Sequence, residues 1–271
     1  MRTKVATFLV AAMAATTPID AEELTPSAFG VLAGVDVVIA GELHDNRAHH
    51  DNQAAIAAAI APKALVFEML FPEQAEAAQD TPRKLAALDA ALGWSESAWP
   101  EFEMYFPIFE AAPEAVIYGA AVPRAQVRAS VGTGAAAQFG DAARYGLDVA
   151  LDAGEQAVRE QGQMAAHCNA LPEQMLGGMV EAQRLRDASF AQVALQALED
   201  TGGPVLVITG NGHARTDWGM PRYLKRAAPG VSVTAIGQLL GAEDSPPYDR
   251  WIITGDYEPI NGDPCAAFKS N

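Results

Sequence analysis

Two short polar motifs, each placed directly after an apolar run, constrain the fold of this chain more than any other feature. The first is Gly41-Glu42-Leu43-His44 after the run 35–40, and the second is Gly210-Asn211-Gly212-His213 after the run 205–209. Runs of this kind, rich in β-branched residues and bounded by glycine, are typical of buried strands. If both strands belong to one parallel sheet, their carboxyl ends share the edge at which open α/β sheets bind ligands. The sequence therefore predicts that His44 and His213 meet in one crevice.

The pattern around these motifs predicts an α/β fold with a mostly parallel central sheet flanked by helices. A helix is predicted after the first motif, with Asp45 or Asn46 as its N-cap and its end near Pro62. A second buried strand over 64–68 ends in Glu68, and a right-handed β-α-β connection places this carboxylate at the same sheet edge as the first motif. Further strands are predicted at 115–119, 231–236 and 250–254.

Residues from about 72 to 113 are predicted to form an inserted helical subdomain broken by prolines. An aromatic cluster lies there, namely Trp94, Trp99, Phe102, Tyr105, Phe106 and Phe109. Such a cluster either caps the sheet and lines a pocket or packs as an added layer. The sequence leaves both interpretations open.

A long helix over about 172–198 carries an apolar stripe that includes Arg186. The other members of the stripe are Met175, Met179, Ala182, Phe190, Val193 and Ala197. A guanidinium directed into a core is costly unless it meets an anion. The functional interpretation is that Arg186 binds Glu42, Glu68 or an anionic ligand. The alternative is an arginine whose head group reaches solvent at the edge of the stripe.

The polar residues expected at the strand ends suit two kinds of chemistry. Glu42, His44, Glu68 and His213 form a ligand set for a divalent metal. With Arg186 they also suit general acid–base catalysis, because histidine titrates near neutrality and a carboxylate fixes its tautomer. No Gly-x-Ser-x-Gly, P-loop or Gly-x-Gly-x-x-Gly motif follows a predicted strand, and there is no Cys-x-x-Cys-His motif. Serine hydrolase, nucleotide-binding and covalent c-type haem classes therefore lack support.

The first 21 residues are predicted to be a signal peptide. Arg2 and Lys4 precede the apolar run 5–13, and cleavage is expected after Ala21, with Ala15 as a second position. The alternative is an ordinary buried first helix. No cysteine ends the segment, so a lipid anchor is not supported, and no later stretch is apolar for long enough to cross a bilayer. The mature domain over 22–271 is therefore expected in the periplasm or outside the cell.

The net charge bears on possible binding partners, and the cysteine content bears on a disulfide. The chain carries 18 Lys and Arg against 34 Asp and Glu, a net charge of −16, so nucleic acid and anionic membranes are poor partners. The two cysteines, Cys168 and Cys265, predict a disulfide in an exported protein, with two unrelated thiols as the alternative.

Taken together, the motifs resemble the ChaN-type haem-binding uptake proteins. The matching segments follow one another through most of the mature chain and are 41–46 with His49 or His50, 67–69, Trp99-Pro100 with Tyr105, 166–168, Ala182-Gln183 with Arg186-Asp187, 208–215 and 219–221. These proteins are similar in turn to the wider group of Tiki, TraB and erythromycin-esterase proteins. In that group paired Gly-x-x-His motifs, a glutamate and an arginine form a metal-dependent hydrolase site.

The resemblance implies an exported α/β domain that binds haem without a covalent bond and serves haem and iron uptake. Haem needs an apolar slot, an axial ligand such as His or Tyr, and cations for its propionates. The candidate axial tyrosines are Tyr105, Tyr145 and Tyr223, and Arg215 is a candidate cation. A haem face left open favours a homodimer.

The wider group implies an alternative function. A metal-dependent hydrolase would use a set of five residues, namely Glu42, His44, Glu68, Arg186 and His213. In both cases the expected fold is the same, so the geometry of the site has to decide between them.

Overall fold

The computed structural model describes residues 21–260, 262, 265 and 266. The predicted signal peptide therefore lies outside the described residues except for Ala21. The strands of the described part are β1 (Glu22–Glu23), β2 (Val37–Glu42), β3 (Ala64–Phe67), β4 (Val116–Gly119), β5 (Val205–Gly210), β6 (Val233–Leu239) and β7 (Arg250–Ile253). They form one sheet in the order β1-β7-β6-β2-β5-β3-β4, and all of its strand pairs are parallel. The predicted α/β fold is confirmed.

Each predicted strand is present, and most bounds agree to within two residues. The largest difference is at β6, which extends to Leu239 instead of ending at Ile236. Its last residues pair with β7 and include the polar Gln238, which breaks the apolar run. Gln238 is nevertheless buried, because its side-chain amide donates to the carbonyls of Gly41 and His49 over 2.7 and 3.0 Å.

The helices of the described part are α1 (Arg47–Ile60), α2 (Pro72–Ala78), α3 (Leu85–Leu92), α4 (Phe102–Ala111), α5 (Arg124–Thr133), α6 (Ala142–Tyr145), α7 (Ala153–Ala166), α8 (Glu173–Thr201), α9 (Asn211–Ala214) and α10 (Met220–Ala227). Short 3-10 helices cover Pro26–Leu32, Trp94–Glu96 and Ala136–Gln138. The N-cap of α1 is Asn46, whose side chain accepts a hydrogen bond from the amide of Ala48. This cap fixes where the chain turns from β2 into the helix.

The sheet separates two apolar clusters, as expected for helices on both faces of a parallel sheet. Alternate residues of β2 divide between them: Val38 and Ala40 face the cluster of α1 and α4, whereas Val37 and Ile39 face the cluster of α8 and α10. The predicted helical subdomain over 72–113 shares the first cluster with the sheet. For example, Phe109 stacks on Phe67 of β3 with ring centroids 4.6 Å apart. The insert is thus mainly a packed layer of the fold.

Helix α8 buries a broader face than its apolar stripe predicts, since Phe190 and Ala197 of the stripe lie in the core together with residues outside it. Its residues in the sheet-packing cluster include Leu185, Ala188, Ala191 and Ala194, and they recur every three residues. Arg186 is exposed, which agrees with the alternative interpretation of an arginine whose head group reaches solvent. Alanines occupy the core face because a helix lies close to a sheet only where its side chains are small.

Cys168 and Cys265 form the predicted disulfide, with their Cα atoms 5.5 Å apart. The bond ties the chain just after α7 to the segment that follows β7. No helix in the described part of the chain is long and apolar enough to cross a membrane.

Candidate functional site

The carboxyl ends of three neighbouring strands bring the predicted polar residues together. β2 and β5 pair so that Glu42 lies opposite Gly210, and β3 pairs with the other side of β5. Glu68 directly follows β3, and its backbone amide donates to the carbonyl of Ile208. His44 and His213 therefore lie at one edge of the sheet, as the sequence predicts.

Glu42 is the buried anchor of this edge. Its Oε1 accepts hydrogen bonds from His44 Nδ1 over 2.6 Å and from the Tyr105 hydroxyl over 2.7 Å. Its Oε2 accepts from the side-chain nitrogen of Gln53 over 2.7 Å. Burial raises the pKa of Glu42, but the hydrogen bond from His44, the charge of His50 and the bond from Tyr105 together lower that pKa to about 2. Glu42 is therefore a fixed anion that orients His44.

His44 is a cation at neutral pH. Burial lowers its pKa, but the hydrogen bond to Glu42 and the negative charges of Glu68, Glu42 and Asp45 raise that pKa to about 9. Its Nε2 lies 3.5 Å from Glu68 Oε1, and its ring meets Trp99 edge to face at 4.8 Å between centroids. About a third of the side chain is exposed. The arrangement presents a positive imidazolium to the crevice.

Glu68 stands between the two histidines. Its Oε2 accepts hydrogen bonds from the Thr209 hydroxyl and, over 2.8 Å, from the amide of Gly210. Its charge raises the pKa of both His44 and His213. A β-carbon at Gly210 would lie 3.2 Å from His44 Nε2 and 3.9 Å from Glu68 Oε2. Because Gly210 has no side chain, His44 and Glu68 have the space to approach each other.

His213 is held by α8. Its Nδ1 lies 2.6 Å from Asp187 Oδ1 and 3.0 Å from the side-chain nitrogen of Gln183, and its ring packs edge to face on Phe190. Burial lowers the pKa of His213, but the charges of Asp187 and Glu68 and the hydrogen bond to Asp187 raise it above its ordinary value. A carboxylate only accepts hydrogen bonds, so the proton on Nδ1 points at Asp187.

Asp187 is fully buried and only half satisfied. Its Oδ1 accepts from His213, whereas its Oδ2 has no hydrogen-bond partner among the described residues. Burial raises the pKa of Asp187, although the charge of His213 opposes this shift. The sequence analysis did not assign it a role. The signal that identifies it is the spacing of Gln183, Asp187 and Phe190 at i, i+4 and i+7 on one helical face, and all three contact the same imidazole.

Two further histidines, His49 and His50, contact the loop that carries His44. His49 accepts a hydrogen bond from the amide of Leu43 at Nδ1 and contacts the Thr254 hydroxyl at Nε2. His50 contacts the Gln53 side chain and the carbonyl of His44. Both are fully buried. The sequence motif includes them, but only the structure shows that they shape the loop carrying His44.

The geometry does not support the predicted divalent-metal site at Glu42, His44, Glu68 and His213. Among the described residues no group of three or more His, Cys, Asp or Glu side chains is arranged to hold a metal ion. The physical reason is that both ring nitrogens of His44 face carboxylates, which favours the protonated ring, and a metal ligand must be deprotonated. The metal-dependent hydrolase that this set would serve is not favoured either.

The arginines predicted for the site lie at or near it. Arg186 is exposed, and its charge lowers the pKa of His213, so it stands close to the crevice. No ion pair joins it to Glu42 or Glu68 within the described part of the chain. Arg215 makes two hydrogen bonds to Asp217 and stacks on the Trp218 ring at 3.8 Å, so its charge is already compensated.

The three tyrosines predicted as axial ligands are buried. Tyr105 is fully buried and bonded to Glu42, Tyr145 packs on Phe139, and Tyr223 lies within the cluster of α8 and α10. Their role as axial haem ligands stays a prediction. The Tyr105 hydroxyl donates to Glu42 and so belongs to the network around that carboxylate.

We expect the histidines at this edge of the sheet to titrate at widely different pH values. In an NMR titration, His44 is expected to lose its proton near pH 9 and His49 near pH 4, since burial and the charge of His50 lower the pKa of His49. Glu68→Gln is expected to lower the pKa of His44 and of His213, because the Glu68 charge raises both. His49 is the internal control, since Glu68 does not act on it. Titration of His44 near its ordinary pKa of 6.5 contradicts this assignment.

Fold and site together define a three-layer α/β protein with a fully parallel sheet in its described part and two histidines bound to carboxylates at the carboxyl edge. The model of a family described as haem-binding uptake, Tiki superfamily, ChaN matches residues 28–224. The chain therefore belongs to this family.

A solved structure has a similar fold. The structure titled "Cofacial heme binding to ChaN of Campylobacter jejuni" matches with a TM-score of 0.66 and 19% identity, covering 82% of this chain and 89% of that chain. The type III effector HopBA1 matches with a TM-score of 0.42 and 14% identity over 82% and 88% of the two chains. An erythromycin esterase mutant in its open conformation matches with a TM-score of 0.40 and 10% identity over 82% and 76%. No curated protein matches the chain in sequence.

Proposed function

We propose that this protein is an exported haem-binding protein that serves haem and iron uptake. The observation that carries the proposal is the match of the haem-binding uptake family to residues 28–224, which spans the strand-end motifs and α8. The ChaN structure of similar fold is described by its title as binding haem cofacially. The proposal transfers that ligand to this chain.

The chemistry of the crevice fits the polar side of haem. Haem carries two propionates, which require cations. His44 offers a positive ring of which about a third is exposed, and Arg186 adds an exposed guanidinium near His213. Trp99 provides an aromatic surface against His44. These residues would hold the propionates and one border of the porphyrin.

Export agrees with two observations. The first 21 residues have the composition of a signal peptide, and Cys168 and Cys265 form a disulfide, which is typical of proteins in oxidising compartments. We propose a periplasmic or secreted location on these grounds. The open face of a bound haem further favours a homodimer, which size-exclusion chromatography with and without haem would detect.

Titration of the mature chain, residues 22–271, with ferric haemin tests the function. We expect a saturable change in the Soret band. Arg186→Gln is expected to weaken binding about tenfold, as for the loss of one charge-assisted hydrogen bond of about 1.5 kcal/mol. Lys63→Gln is the matched control, because it removes one exposed positive charge at the amino end of β3. That end lies at the edge of the sheet opposite the site. A titration that never saturates would overturn the proposal.

A further inference from the structure

The segment that follows β7 lies beside the crevice. It covers residues 254–260, and we call it the strap. The hydroxyl of Tyr257 in the strap donates to Asp45 Oδ1 over 2.9 Å. Asp45 directly follows His44, and its negative charge is one of those that raise the pKa of His44. The strap therefore contacts the residue next to the positive imidazole of the crevice.

The strap is attached on two sides of the molecule. At its first residue, the Thr254 hydroxyl contacts Nε2 of His49 in α1 over 3.0 Å. Beyond its last residue, Cys265 forms the disulfide with Cys168, which lies between α7 and α8. One attachment is thus to the first turn of α1, and the other is to the pair of helices α7 and α8.

The attachment at the disulfide lies beyond the carboxyl edge of the sheet. Helix α8 packs on the face of the sheet opposite to α1, and it ends at the amino edge, where the carbonyl of Thr201 accepts from Lys63 Nζ. Asp187 of α8 meets His213 at the carboxyl edge. At a rise of about 1.5 Å per residue, the part of α8 from Glu173 to Asp187 extends roughly 20 Å beyond that edge. The strap therefore leads from the α1 face toward the α8 face above the crevice.

Polar contacts and the disulfide hold the strap, and apolar packing does not. None of its residues belongs to either apolar cluster of the described part of the chain, and Ile260 is 55% exposed. Helices α4 and α8 beside the crevice instead contribute core residues such as Phe109 and Ala188. Segments with few buried apolar contacts open locally at a low cost in free energy. The strap is therefore more easily displaced than the helices around it.

A large ligand needs such a displacement. Only 33% of the His44 side chain and 11% of the His213 side chain are exposed. A flat macrocycle of the size of a porphyrin can approach the His44 ring only after a neighbouring segment has moved aside. The strap is the segment that contacts the loop of His44 and has the weakest packing.

We infer that the strap gates the exchange of haem at the crevice, and that the disulfide and the bond from Tyr257 to Asp45 hold it closed. The inference rests on the proposed function, since haem is the ligand that enters and leaves. Tyr257 acts as a positioning residue. A gate that does not contact the ligand changes the rates of entry and exit by the same factor, because it favours neither the free nor the bound state.

Tyr257→Phe in the mature chain tests the gate. Stopped-flow mixing with ferric haemin measures the association rate, and transfer of haemin to an excess of a scavenging apoprotein measures the dissociation rate. We expect both rates to rise about fivefold, as for the loss of one hydrogen bond, while Kd is unchanged. Replacing both cysteines by serine is expected to raise both rates further.

Tyr118→Phe is the matched control. It removes another phenol-to-carboxylate hydrogen bond, which spans 3.1 Å to Asp200 Oδ2 at the end of α8 that lies at the amino edge of the sheet. It is expected to keep the wild-type rates. Rates in Tyr257→Phe that equal those of Tyr118→Phe overturn the inference. A rise in the dissociation rate alone also overturns it, because Tyr257 would then bind the ligand itself.

Hydrogen exchange in the absence of haemin tests the closed strap directly. Mass spectrometry is expected to show faster amide exchange in Tyr257→Phe for peptides that cover 43–46 and 254–260, with a peptide from α5 unchanged. Wild-type exchange in the first two peptides overturns the inference. If wild-type chain binds haemin saturably in that case, the proposed function survives alone. If the wild-type chain never saturates with haemin, the proposed function fails, and the inference fails with it.

Discussion

Glu42→Gln is expected to lower the free energy of unfolding by about 3 kcal/mol, the cost of removing one partner from a buried ion pair. Glu42 accepts three hydrogen bonds, two at Oε1 and one at Oε2 from Gln53. A glutamine has a single acceptor oxygen, so its amide nitrogen would face the donor nitrogen of Gln53. Gln53 cannot turn over without cost, since it also donates to the carbonyl of Ala40 and contacts His50.

Urea unfolding followed by circular dichroism at pH 7 measures this effect. Glu110→Gln is the matched control, since it removes the charge of an exposed glutamate on α4, and it is expected to change stability by less than about 0.5 kcal/mol. A double-mutant cycle with His44→Ala is expected to show coupling, because each change removes the same hydrogen bond. Equal losses for Glu42→Gln and Glu110→Gln would show that the network does not stabilise the fold.

The pH dependence of the free energy of unfolding reports on Glu42 and His44. The pKa of Glu42 is lowered from 4.5 to about 2, so its contribution is present above pH 4.5 and is lost as the pH falls toward 2. The pKa of His44 is raised from 6.5 to about 9, so its contribution is complete below pH 6.5 and is lost as the pH rises through 9. Glu42→Gln is expected to flatten both slopes.

Replacing both cysteines, Cys168→Ser with Cys265→Ser, is expected to lower the free energy of unfolding by about 3 kcal/mol. The bond joins residues 97 positions apart, and a closed loop of this length removes much of the entropy of the unfolded chain. The chain-entropy estimate for such a loop is about 4.7 kcal/mol. The expected value is smaller because the released segment after β7 would gain freedom in the folded protein as well.

Denaturant unfolding with and without a reducing agent checks the second result. The reductant is expected to destabilise the wild-type chain as much as the two serines do, and to leave the double-serine variant unchanged. The midpoint is expected to shift without a change in haemin affinity if the segment after β7 does not contact the ligand. Wild-type and double-serine proteins with the same midpoint would show that the bond contributes nothing to stability.

The strands and the strand-end motifs could be predicted from the sequence because their signals are local. An apolar run such as that of β2 or β5 has to be buried on both faces of a parallel sheet wherever it occurs. The residue after such a strand lies at the carboxyl edge, which is why His44, Glu68 and His213 were placed correctly. The family followed from the same motifs.

The hydrogen-bond partners of those residues could not be predicted, because they depend on how each helix is rotated about its own axis. The large apolar residues of α8, such as Met175, suggested a core face, but Met175 is exposed and the alanines Ala188 and Ala191 pack on the sheet. Helix contact with a sheet selects for small side chains as much as for apolar ones. In this orientation of α8, Asp187 contacts His213 and the side chain of Arg186 is exposed.

The sequence by itself determined the α/β fold, the disulfide partners and the sheet edge that carries the site, because each depends on residue type and order along the chain. The tertiary structure alone decided that Glu42 and Asp187 are the acceptors of the two imidazoles and that Tyr105 is a buried donor. Those assignments depend on distances of a few ångströms between segments remote in sequence, and hydrogen bonds form only within that range.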